Sequence, residues 1–127
     1  MEWMNFEYTN PVDPSRILPN LIVVGGGNTL EGLGHQTLLN AHIAGDLIVN
    51  GQAPSDVVLA AGMGPLPDVK YPITEAFGMA SIIRQKLIIG GVRGTDIYYE
   101  DWSSDTIGNV ENLAPKIHEL GIDAYAV

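Results

Sequence analysis

A cluster of acidic and short polar side chains lies between residues 96 and 112, DIYYEDWSSDTIGNVEN. An apolar strand pattern precedes the cluster and a helical pattern follows it, so it falls where open α/β sheets place their ligands, at the carboxyl end of a strand. Carboxylates can act as general bases or hold Mg²⁺, and hydroxyl and amide groups can orient a substrate. The candidate binding residues are Glu100, Ser103, Asp105, Thr106 and Asn109, with Glu100 and Asp101 as catalytic candidates.

The acids and Asn109 of this cluster also have structural interpretations. Asp105 or Ser104 can cap the following helix while the acids face water. Asn109 can contact a ligand or tie down the loop. Ser103 has no histidine partner that would mark it as a nucleophile. Mg²⁺ binding, general-base catalysis and a purely structural role therefore all stay open for the acids.

Two glycine-rich turns and one further glutamate are the other candidate site residues. The amides of Gly25, Gly26 and Gly27 can approach a phosphate or carboxylate closely, because no side chain intervenes. A tight turn explains the same glycines, and their spacing lacks the full dinucleotide fingerprint. Gly62 lies in a second such turn. Glu75, a third catalytic candidate, can bind a ligand hydroxyl or only stabilise a helix dipole.

The elements that position these residues alternate between strands and helices, which is typical of a parallel sheet covered by helices. Thr74 is a plausible N-cap, Gly90 a plausible helix stop, and Pro115 predicts a bend near residue 112. Strands are predicted at 20–25, 56–61, 96–100 and 122–127, and helices at 35–49, 74–89 and 106–120. The pattern predicts a Rossmann-like three-layer α/β/α fold with a mostly parallel sheet of about four strands.

The composition fits a single domain of 127 residues with 46% hydrophobic content and no cysteine. The net charge of -9 repels nucleic acids and anionic membranes. No run reaches the ~18 apolar residues of a membrane span. We therefore expect a cytoplasmic protein with neither a nucleic-acid nor a membrane partner. The polar cluster and the glycine turns described above favour a small-molecule ligand. Residues 1–19 are predicted to be a loosely attached leader and residues 20–127 the domain.

The order of the motifs over residues 20–127 resembles the bacterial YdcF/ElyC/SanA-type family, whose general reaction is not established. The matching motifs are Val23-Val24-Gly25-Gly26-Gly27, Gly51-Gln52-Ala53-Pro54, Ala61-Gly62-Met63-Gly64, Thr74-Glu75-Ala76, Gly91-Val92-Arg93 and the run from Glu100 to Asn109. The resemblance implies a nucleotide-type or sugar-phosphate-type ligand, with S-adenosylmethionine as one candidate. The predicted fold places the ligand cleft at the strand carboxyl ends. Our first hypothesis for the function is an enzyme of transferase or hydrolase type that acts on such a ligand.

The sequence departs from the family pattern at several positions. The first predicted helix contains no arginine, Asp105 replaces the usual asparagine, and Gly108 replaces a common glutamate. The family continues into a further strand with a histidine and an arginine that resemble site residues, and the sequence stops before them. We therefore expect either a domain truncated at its C-terminus or a partner that supplies the rest of the site. A noncatalytic binding module and an inactive remnant that self-associates through an incomplete sheet edge are the alternatives to an enzyme.

Overall fold

A computed structural model of the protein describes residues 2–29, 32–54, 56–62, 73–101 and 125–126. The strands are β1 Trp3–Asn5, β2 Pro11–Val12, β3 Leu21–Val24, β4 Asn28–Thr29, β5 Gly32–Leu33, β6 Val57–Ala61, β7 Asp96–Glu100 and β8 Tyr125–Ala126. The helices are α1 His35–Val49 and α2 Glu75–Ile89. The fold is thus mixed α/β, as predicted.

Six of the strands form one open sheet in the order β2-β1-β7-β6-β3-β8. The four strands β7, β6, β3 and β8 are parallel, whereas β1 runs antiparallel to both β2 and β7. Ala61, the last residue of β6, is in register with Val24 of β3 and with Glu100 of β7. Three neighbouring parallel strands therefore end at the same level, which defines one carboxyl edge of the sheet.

Both described helices begin and end close to where the sequence predicts. The hydroxyl oxygen of Thr74 accepts a hydrogen bond from the backbone N–H of Phe77 at 3.1 Å, so Thr74 is the N-cap of α2. Gly91, with φ of 73°, allows the chain to turn after α2. The Lys86 ammonium donates to Asp46 Oδ1 at 2.7 Å and joins the two helices. None of the described helices is long and apolar enough to cross a membrane.

The main core lies between the two helices and one face of the sheet. Strand residues Leu21, Val23, Val58, Ala60 and Ile97 face helix residues Ala41, Ala44, Ile48, Met79, Ala80, Ile83 and Leu87. On the opposite face, Ile22 and Ala61 form a second buried cluster. Because β3 is buried on both faces, its sequence is apolar without alternation, as expected for an interior parallel strand.

The N-terminal segment is part of the sheet, so the prediction of a loosely attached leader is wrong. β1 pairs with β7, and Trp3 is only 6% exposed. Arg84 of α2 forms an ion pair with Glu7 and donates to the Thr95 carbonyl oxygen at 2.8 Å. β1 and β2 contain three and two residues, which is too short for hydrophobic alternation to reveal them.

A small hairpin between β3 and α1 was also not predicted. β4 and β5 pair antiparallel as a separate two-stranded sheet. Gly27 and Gly32, with φ of 122° and 141°, occupy backbone conformations that favour glycine. The third predicted helix, 106–120, and its bend lie outside the described residues. Of the predicted strand 122–127, residues Tyr125–Ala126 form β8 beside β3.

Candidate functional site

The carboxyl edge of β3, β6 and β7 brings together residues from three separate stretches of the sequence. The N–H of Gly25 donates to the carbonyl oxygen of Ala61 at 2.9 Å, and the N–H of Gly62 donates to that of Glu100 at 3.1 Å. Gly25, Gly62 and Glu100 are therefore neighbours along this edge. They meet because the carboxyl ends of adjacent parallel strands lie at the same edge of the sheet.

Glu75, the first residue of α2, lies over the two glycines of this edge. Its side chain is buried, with the residue 5% exposed. A Cβ added to Gly25 would overlap the Glu75 carboxylate and lie 2.9 Å from Glu75 Cβ, and a Cβ added to Gly62 would lie 2.6 Å from that same atom. Glu75 therefore points at the strand ends rather than into solvent, and both glycines leave room for it.

Glu100 supplies a second buried carboxylate at the same edge. It is the last residue of β7 and is only 2% exposed. Tyr99 packs in the core beneath the helices, and successive side chains of a strand point to opposite faces. Glu100 therefore lies on the face away from α2, and the two carboxylates flank the strand ends from opposite faces of the sheet.

Buried acids of this kind are informative because burial of a carboxylate is costly for folding. An ionised carboxylate loses its hydration when it is removed from water, and only specific polar or charged partners offset that loss. Proteins consequently keep such groups mainly at binding and catalytic sites or in specific ion-pair networks. The positions of Glu75 and Glu100 at one sheet edge make this edge the candidate site.

The glycine turn after β3 is held by α1 through contacts that the sequence did not reveal. Thr37 Oγ1 accepts from the Gly26 N–H at 3.0 Å and donates to the Gly27 carbonyl oxygen at 2.6 Å. Asn40 Nδ2 donates to the Val24 carbonyl oxygen at 2.8 Å. Thr37 and Asn40 lie three residues apart on one face of α1, and this spacing was the only available signal.

These hydrogen bonds decide which turn amides can reach a ligand. The amides of Gly25 and Gly26 already donate to Ala61 and Thr37, which favours the tight-turn explanation for those two groups. The Gly27 amide has no acceptor within the part of the chain that the structure describes. Gly27 is therefore the turn residue best suited to donate to an anionic group.

Of the remaining predicted site residues, the structure describes Asp101 but not the other four. Asp101 follows Glu100 directly and is half-buried. The residues Ser103, Asp105, Thr106 and Asn109 lie outside the described residues. Over the described ranges, no group of three or more histidine or acidic side chains is arranged to hold a metal ion. Among the described residues, the candidate site at the carboxyl edge is formed mainly by glycines and glutamates.

The phenol of Tyr99, next to Glu100, has a raised pKa. Its ring packs edge-on against Phe77, with ring centroids 5.3 Å apart. Burial raises the pKa of the Tyr99 phenol above its ordinary value of 10.0, and the negative charge of Asp101 raises it further. The folded protein therefore favours the neutral phenol beside the candidate site.

This phenol should make the protein lose stability in alkaline solution. Below the unfolded-state pKa of about 10, both states keep the proton and the effect is absent. As pH rises through and above that value, the unfolded chain releases the proton first, so the free energy of unfolding falls. Tyr99→Phe should lessen this fall, measured by urea denaturation over an alkaline pH series. An unchanged pH dependence in Tyr99→Phe would show that the Tyr99 phenol is not the cause of the fall. Asp101→Asn removes a neighbouring negative charge and should lower the pH at which tyrosinate absorbance develops.

Comparisons of the chain with protein-family models, with curated proteins and with solved structures gave no match.

Proposed function

We propose that this protein binds a small nucleotide-type or sugar-phosphate-type ligand at the carboxyl edge of β3, β6 and β7, and acts on it as a transferase or hydrolase. The observation that carries the proposal is the burial of two acids at one edge: Glu100 at the end of β7, and Glu75 of α2 against Gly25 and Gly62. A single buried acid could serve packing alone. Two at the edge where α/β sheets bind ligands favour a site.

The chemistry of the edge suggests how such a ligand would be oriented. Carboxylates accept hydrogen bonds from hydroxyl groups and attract cationic centres, but they repel phosphate. The sugar hydroxyls, or the sulfonium of S-adenosylmethionine, would therefore face Glu75 and Glu100. A phosphate or carboxylate group would face the Gly27 amide instead. In the catalytic version of the proposal, one glutamate is the general base that removes a proton from a hydroxyl or a water molecule.

The strand order supports a Rossmann-like arrangement of the sheet. The parallel strands lie in the order β7-β6-β3-β8. β6 and β7 therefore follow one another on one side of β3, whereas β8 lies on its other side. Such a reversal is where doubly wound sheets open a crevice for a ligand. We propose a Rossmann-like three-layer arrangement on this basis, and membership of the YdcF/ElyC/SanA-type family on the order of the motifs.

Ligand-induced stabilisation tests the proposal directly. Adenosine, S-adenosylmethionine, nucleoside phosphates and sugar phosphates would be screened by thermal melting with and without Mg²⁺. A ligand at about 100 times its dissociation constant adds ~2.7 kcal/mol to the folded state. We expect a shift in the unmodified protein that is lost in both Glu75→Gln and Glu100→Gln, since each change removes a charge with little change in shape.

The matched control is Asp96→Asn, which removes one negative charge from the exposed, opposite end of the same strand as Glu100. This variant should keep the full ligand shift. A screen in which no compound shifts the melt, or a shift that Asp96→Asn also abolishes, would overturn the proposal. Ligand binding with no product by chromatography would overturn only the enzymatic part and support the noncatalytic binding module.

A further inference from the structure

We propose that a second site, at the opposite edge of the sheet, binds a small carboxylate with an apolar chain. A cavity of about 380 Å³ lies there, lined by Arg84, Ile88, Gly91, Val92, Arg93 and Gly94. Small-molecule sites commonly have volumes of about 300–1,000 Å³. The cavity is separate from the glutamates of the carboxyl edge, so this inference does not depend on the proposed function.

The cavity is formed by the loop that connects α2 to the amino end of β7. Gly91 and Gly94, with φ of 73° and 83°, give this loop its sharp path. The Val92 N–H donates to the Leu87 carbonyl oxygen at 2.9 Å and fixes the start of the loop. The following amides, those of Arg93 and Gly94, have no acceptor over the described ranges. Two N–H donors are thus available beside the cavity.

The positive charge of the cavity is unusual for this chain. The protein has six Lys and Arg residues against fifteen acids, yet two arginines line this one cavity. Arg84 is held in place by Glu7 and by the Thr95 carbonyl oxygen, so it loses little conformational freedom on binding a ligand. A guanidinium group presents paired N–H donors that match the two oxygens of a carboxylate.

The apolar part of the ligand is inferred from the remaining wall. Ile88 is 67% exposed and Val92 is partly buried, and both line the cavity beside the arginines. An apolar chain that covers Ile88 would remove this surface from water, which favours binding. Inorganic phosphate would satisfy the arginines but leave the apolar wall exposed. The combination therefore favours an aliphatic carboxylate.

Neighbouring acids determine which arginine attracts the ligand most. Glu7 already neutralises much of the charge of Arg84, and Asp96 is exposed near the end of the loop. Arg93 is exposed and forms no ion pair with any described residue. Arg93 should consequently provide most of the electrostatic attraction, while Arg84 provides a fixed wall and further donors.

Hexanoate is a suitable probe, followed by amide chemical shifts of isotope-labelled full-length protein. We expect saturable shifts at Gly91 and Gly94. Arg93→Gln should weaken hexanoate binding at least about tenfold, the loss expected for one charge-assisted hydrogen bond. Arg93 is exposed, so this variant should fold, and a thermal melt checks that it does.

Arg16→Gln is the matched control because it removes the same charge from a side chain that is 86% exposed elsewhere on the surface. Its affinity for hexanoate should stay within about twofold of the unmodified protein. Three results would overturn the proposal: no saturable shift, an equal loss of affinity in Arg16→Gln and Arg93→Gln, or inorganic phosphate binding as tightly as hexanoate. Weaker hexanoate binding in Ile88→Ser, with acetate binding unchanged, would support the apolar wall.

Discussion

Replacing Gly25 with alanine is expected to lower the free energy of unfolding by about 1–3 kcal/mol, the usual cost of an overpacked interior position. The added methyl group would overlap the Glu75 carboxylate, and it would also meet Glu75 Cβ at 2.9 Å. Either α2 must move away from the sheet or Glu75 must leave its buried position. Urea denaturation of the variant gives the change in stability.

Two comparisons separate this clash from a general intolerance of alanine in the turn. Nothing lies within 4 Å of a Cβ added at Gly27, where only the positive φ of 122° is unfavourable. Gly27→Ala should therefore cost about 1 kcal/mol from backbone strain alone. In addition, Glu75→Ala should be less destabilising in the Gly25→Ala background than in the unmodified protein. Strictly additive effects would show that the two positions are not coupled.

Replacing Trp3 with alanine is expected to have a comparable or larger effect, a loss of about 3–5 kcal/mol. Trp3 is buried in β1, and β1 is hydrogen-bonded to β7. The change would leave a cavity beneath the N-terminal segment and weaken its attachment to the sheet. Urea denaturation measures the loss, and hydrogen exchange at Phe6, whose amide donates to Ile97, reports on detachment.

Tyr8→Ala provides the control for this result. Tyr8 is an aromatic residue of the same segment, but it is 72% exposed. Its replacement should change stability by no more than about 0.5 kcal/mol. Equal effects of the two substitutions, or a Trp3→Ala protein as stable as the unmodified one, would mean that the N-terminal strands add little to the domain.

The elements that the sequence predicts well are those with a long or strongly marked pattern. β7 and α1 have the predicted bounds, and α2 begins directly after its predicted cap, Thr74. The strands that were missed have two or three residues each. These short strands form because another strand pairs with them, and their residues carry no strand pattern that could be recognised. β1, for example, pairs with β7, which lies far along the chain. Local propensity cannot report such a partner.

The candidate site shows the same division between local and long-range information. The rule that parallel strands share a carboxyl edge is enough to predict that Gly25, Gly62 and Glu100 meet. The burial of Glu75 against the two glycines depends on how closely α2 approaches the sheet, which no residue pattern specifies. The ligand, the reaction and the family assignment stay predictions, as do the roles of the polar residues after Asp101.

The antiparallel pairing of β1 with β7 protects one edge of β7 while the chain is being synthesised. Without β1, β7 would expose a row of unpaired N–H and C=O groups, and such a row can recruit a strand from another molecule. Because β1 is synthesised long before β7, it is already present when its partner appears. β1 can therefore cover the last strand of the β3-β6-β7 group as soon as that strand forms, before another chain can pair with it.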